Sequence, residues 1–79
     1  MESREVFARN LRYFRQVKGL SQEALAHEAG VDRTYISSLE RGVYAVSIDT
    51  IDKICSVLDV EPADLLKNTD TAHKTDDLE

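Results

Sequence analysis

Seventy-nine residues leave room for one small hydrophobic core and not for two, which argues against a separate effector-sensing domain and leads us to expect no small-molecule effector. Hydrophobic residues make up 42% of the chain and charged ones 32%, as in a soluble domain, and no apolar run approaches the roughly eighteen residues of a membrane span. The net charge of −5 argues at first against a nucleic-acid partner, because the phosphate backbone rewards lysine and arginine.

The N-terminal "MESREVFARN" is charged and lacks the apolar stretch of a secretion signal, so a cytoplasmic protein is expected. From Arg4 to Lys18, Phe7, Leu11 and Phe14 recur at helical spacing, with Val6, Tyr13 and Val17 broadening the stripe. At about 100° per residue, Arg9, Arg12 and Arg15 fall away from it, giving this helix one core face and one basic face. Ser21 is placed to cap a second helix, Gln22 to Ala29, that stops at Gly30, a residue able to take the left-handed conformation. Asp32 then caps a third, Arg33 to Arg41, closed by Gly42, with Ile36 and Leu39 as its buried edge.

A fourth helix starts at Ser47 or Asp49 and carries Ile51, Ile54, Cys55 and Leu58 at i, i+3, i+4 and i+7. In "EPADLL" Pro62 suits the first turn of a short fifth helix, and acidic residues sit where the helix dipole favours them. From Lys67 onward there is too little apolar surface to offset the entropy of ordering, so residues 67–79 are expected to form a flexible tail. The expected fold class is all-α: five helices in one domain, residues 1–66.

Cys55 has no second cysteine to bond, and His27 and His73 cannot complete a zinc set with it. No metal and no cofactor are expected, and Cys55 reads as a core thiol. There is also no nucleophile–base pair and no phosphate-cradling loop, so an enzyme is not expected.

Charge is unevenly distributed. Residues 1–18 hold Arg4, Arg9, Arg12, Arg15 and Lys18 against Glu2 and Glu5, whereas residues 49–66 hold Lys53 against Asp49, Asp52, Asp59, Glu61 and Asp64. A positive face can therefore coexist with a negative total. Two helices of about eight residues joined by a three-residue glycine turn have the layout of a helix-turn-helix, about residues 21–42, whose second helix enters the DNA major groove. Ala26 is small where the helices approach, Leu25, Val31, Ile36 and Leu39 face the core, and Arg33, Thr34, Ser37 and Ser38 are left outward.

The run "LSQEALAHEAGVDRTYISSLERG" resembles the lambda-repressor and Cro-like, or XRE-like, helix-turn-helix family. Within that family "DRTYIS" looks like the small controllers of restriction-modification operons. The resemblance spans about Val6 to Leu66 and implies a lambda-repressor-like fold that binds double-stranded DNA. It implies base contacts by Arg33, Thr34 and Ser38, with Ser37 joining them and Tyr35 at the border with the backbone. Phosphate contacts are expected from Gln22, Tyr35, Arg41, Tyr44 and Arg12, and a structural ion pair from Arg15 and Glu40. After "ERG" the family often carries basic residues and an asparagine where this chain has "VYAV", Val43 to Val46, which implies fewer backbone contacts.

Val57 lies about 100° or more off the stripe of the fourth helix, and the adjacent Leu65 and Leu66 cannot both face one core. Val57, Val60, Leu65 and Leu66 are therefore the expected homodimer interface, on the end opposite the basic helix. The expected function is sequence-specific transcription regulation by a dimer on a pseudo-palindromic operator. The alternative is an antitoxin-type protein that combines DNA binding with a protein partner.

Overall fold

Left-handed residues and side-chain caps mark the helix ends in the computed structural model, which describes residues 3–68. Those residues form α1 (Ser3–Val17), α2 (Gln22–Ala29), α3 (Arg33–Glu40), α4 (Ile48–Leu58) and α5 (Pro62–Leu66). Apart from Lys67 and Asn68, the expected tail and its His73 lie outside the described residues. None of the five helices is long and apolar enough to cross a membrane.

The hydroxyl of Ser21 accepts from the backbone of Ala24 at 3.0 Å, the carboxylate of Asp32 from that of Thr34 at 2.8 Å, and the hydroxyl of Ser47 from that of Thr50 at 3.1 Å. Each satisfies a donor that the first turn of a helix leaves open. The first four helices end in one manner. Gly19, Gly30, Gly42 and Asp59 have φ of 74°, 73°, 72° and 59°, and the next residue's N–H reaches back five positions. These bonds run from Leu20 to Arg15, Val31 to Ala26, Val43 to Ser38 and Val60 to Cys55, at 2.9–3.2 Å.

The core is drawn from every helix: Phe7 and Leu11 of α1, Leu25 and Ala26 of α2, Ile36 and Leu39 of α3, Ile54, Cys55 and Leu58 of α4, and Leu65 of α5. Each fully buried leucine or isoleucine contributes about 1.5–3 kcal/mol relative to exposure. α1 packs on α3 and α5, and α2 on α3 and α4, so α2 and α3 pack on each other while α1 supports one and α4 the other. Burial pushes the Cys55 thiol pKa up, and the nearby carboxylates of Asp52, Glu61 and Asp64 push it further.

Several expectations about the faces are corrected. Val17 and Tyr13 are exposed, because the neighbours of α1 cover its N-terminal half and leave its end bare. Val57 is half-buried against the core, since the C-terminal end of α2, with Glu28 and Ala29, comes alongside it. Val60 is folded back onto the core by the left-handed turn at Asp59. Leu65 is completely buried, leaving Leu66, at 52% exposure, as the one leucine of that pair to face outward.

Asn10, which drew no role from the sequence, is fully buried. Its Nδ2 donates to the carbonyls of Leu65 at 2.8 Å and Lys67 at 2.7 Å, holding the C-terminal end of α5 against α1. A helix of five residues is too short to persist alone, and this side-chain cap offsets part of that weakness.

Candidate nucleic-acid interface

Two residues after Gly30, the Asp32 cap starts α3 and sets its first turn, Arg33 and Thr34, on the exposed surface. The opposite edge, Ile36 and Leu39, is fully buried. Tyr35 and Ser37 lie between, half-buried, and the Tyr35 ring packs against the core. Ser38 does not join the outward face: it is 4% exposed, and its hydroxyl accepts from Arg41 Nη2 at 3.3 Å. One position after Ser37, the helical turn of about 100° carries it to the buried side. The exposed face of α3 is thus built from Arg33 and Thr34, with Ser37 at its edge.

The last residue of α3 fixes this surface to the rest of the molecule. Glu40 is 3% exposed. Its carboxylate accepts from Arg15 Nε at 2.5 Å and Arg15 Nη2 at 3.0 Å, and from Gln22 Nε2 at 3.1 Å, while its carbonyl accepts from Arg12 Nη2 at 2.9 Å. Arg15 also donates through Nη1 to the carbonyl of Leu20, the residue before the Ser21 cap, at 2.8 Å. One carboxylate therefore joins α1, the start of α2 and the end of α3. The two-pronged geometry matches the guanidinium fork, and the hydrogen bonds to Glu40 raise the Arg15 pKa above its ordinary value.

Tyr35 apart, the residues expected at phosphates fall in three places. Gln22 is half-buried at the first turn of α2. Arg12 has half of its side chain exposed beside Glu40, and Arg41 is exposed, its Nε donating to the Ser37 carbonyl at 3.4 Å. Arg9, Arg12 and Arg41 together line a shallow groove at the end of α3, with Glu5 on its rim. Tyr44 is exposed in the segment after α3, and Arg4, which drew no role from the sequence, donates to the carbonyl of Val43 there at 3.2 Å. Its signal was its place in the basic run at the start of the chain, which the segment after Gly42 folds back to meet.

A helix-turn-helix family model matches residues 11–65, which takes in all of α2, α3 and α4. The chain belongs to that family. Control protein C.BamHI of Bacillus amyloliquefaciens is 48% identical over 67 residues, covering 84% of this chain and 83% of the relative. Among solved structures, the restriction-modification controller protein C.AhdI from Aeromonas hydrophila matches with 45% identity and a TM-score of 0.76, over 78% of this chain and 94% of that one. The biofilm master regulator SinR, solved in complex with DNA, matches with 37% identity and a TM-score of 0.75, over 77% and 98%.

Proposed function

We propose that this protein is a sequence-specific DNA-binding transcription regulator of the restriction-modification controller type, working in the cytoplasm as a homodimer on a pseudo-palindromic operator. The observation that carries the reading is the first turn of α3, where Arg33 and Thr34 project from a helix anchored on its other side by two fully buried residues and at its end by Glu40. A guanidinium donates two hydrogen bonds to guanine O6 and N7, a pairing that discriminates by roughly 1–3 kcal/mol. Gln22, Arg12, Arg41 and Tyr44 are assigned to phosphates, and their contacts set register without reading sequence. The relatives named as control proteins and the DNA complex of SinR support this assignment.

The test is Arg33→Ala on a duplex selected from a random pool and on a scrambled one. The ratio of the two affinities should fall about tenfold or more, since one bidentate base contact is lost. An unchanged ratio removes Arg33 from the base-reading set. Gln22→Ala should weaken both duplexes alike.

Of the patch expected on the sequence, Leu65 is taken up by the core and Val57 and Val60 are half-buried against it, so the proposed dimer face is centred on Leu66 and extended to other exposed apolar side chains. Ile48, at 76% exposure, and Leu66, at 52%, are among the exposed apolar side chains. Leu66 borders a cleft of about 240 Å³ floored by Phe7, Val46 and Ile51. A second copy seated on this face would bury the exposed side chains isologously and set two α3 helices about one DNA turn, roughly 34 Å, apart. Sedimentation equilibrium should show a wild-type dimer and an Ile48→Asp, Leu66→Asp monomer. A wild type that stays monomeric, and binds one half-site as tightly as a palindrome, rules the dimer out.

A further inference from the structure

We propose that Glu40 is a positioning residue for DNA binding, its carboxylate turning the Gln22 amide so that the nitrogen is offered to a DNA phosphate. The inference rests on the reading of α2 and α3 as a DNA interface. Glu40 itself is 3% exposed and has no surface to give to a ligand, so any effect it has on DNA must pass through a neighbour.

That neighbour is Gln22, the first residue of α2, whose Nε2 lies 3.1 Å from Glu40 Oε1. An amide can present either its oxygen or its nitrogen in a given direction, but an ionised carboxylate only accepts. Turned the other way, the amide would set oxygen against oxygen. The nitrogen is therefore held on the Glu40 side, and it has a second proton to give. A phosphate also only accepts, so a glutamine with its nitrogen so fixed suits a phosphate better than one free to turn.

Glu40 can impose this because it cannot itself turn. Arg15 holds both of its carboxylate oxygens, and Arg12 holds its backbone carbonyl. Arg15 further fixes the Leu20 carbonyl, immediately before the Ser21 cap, so the spacing between Gln22 and Glu40 is set from both ends.

Positioning and plain electrostatics predict opposite signs. Glu40→Gln removes a negative charge near a polyanion, and charge alone would tighten binding. Loss of the amide's orientation weakens it. Dissociation constants on the selected duplex are compared for wild type, Glu40→Gln, Gln22→Ala and the double variant, with the folded fraction of each read by circular dichroism in the same buffer. We expect Glu40→Gln to weaken binding about fivefold and Gln22→Ala about tenfold, typical of losing a hydrogen bond to a charged group, with the double variant no weaker than Gln22→Ala.

Tighter binding by Glu40→Gln, or an equal loss with and without Gln22, overturns the proposal. If the wild type binds no duplex at all, the interface reading falls and takes the proposal with it. If it binds but the two positions are uncoupled, only the positioning role falls. Should Glu40→Gln not fold, side-chain amide NMR of the wild type decides: the Gln22 amide is expected to be ordered where the exposed Gln16 amide is averaged, and equal mobility overturns the proposal.

Discussion

The turn after α2 and the turn after α4 close with the same backbone hydrogen bond, Val31 to Ala26 in one and Val60 to Cys55 in the other. Each puts a residue in the left-handed region and folds the following valine onto the core. Beyond them the chain diverges. The first turn leads to α3, eight residues long and held at its end by Glu40, with room for one buried edge and one exposed face. The second leads to α5, five residues long, whose end depends on Asn10 of α1 and whose side chains split between the core and the surface. Identical local closure therefore says nothing about what the next helix presents, which depends on its length and on what packs against it.

The largest effect that tests this contrast is expected in α5. Leu65→Ala should cost roughly 2–5 kcal/mol, because a fully buried leucine leaves a cavity behind, whereas Leu66→Ala should stay within about 0.5 kcal/mol. Urea unfolding at protein concentrations low enough to keep the chain monomeric separates the two. Similar losses at both positions would mean that the core does not distinguish them.

Next comes the anchor of α3. With side-chain exposures of 12% for Arg15 and 3% for Glu40, removing one partner leaves the other charge largely desolvated. Arg15→Met or Glu40→Met should each cost on the order of 3 kcal/mol, and the double variant clearly less than their sum. Thermal unfolding of the three variants measures the coupling. Strict additivity would mean that the ion pair does not hold α3.

The smallest effects lie in the two turns themselves. Gly30→Ala should destabilise by about 1–2 kcal/mol through the left-handed backbone alone, since an added Cβ there meets nothing within 4 Å. Asp59→Gly should act in the opposite direction, gaining less than about 1 kcal/mol because glycine also has more freedom to lose on folding. Chemical denaturation midpoints resolve the signs. Destabilisation by Asp59→Gly would show that the aspartate stabilises its turn by more than its backbone costs.

The caps and stops of the motif were legible because they are local. Ser21, Gly30, Asp32 and Gly42 each act within a few residues of themselves, and their chemistry permits few alternatives. Asp59 was not read as a stop, because aspartate takes the left-handed conformation only now and then and the residue type does not demand it. The outward direction of Arg33 and Thr34 followed from helical periodicity, and the Arg15–Glu40 pair from the family resemblance.

By itself, the sequence determined the number of helices, their ends within a residue or two, and the polar first turn of α3, all consequences of hydrogen-bonding and periodicity along the chain. Only the tertiary structure decided which flank of each helix is covered. Val57 is sheltered by α2, Ser38 is turned inward beside Arg41, and Asn10 is buried to hold the end of α5, some fifty-five positions away. Burial depends on neighbours from distant parts of the chain, and for helices as short as these a single neighbour is enough to move a residue from surface to core.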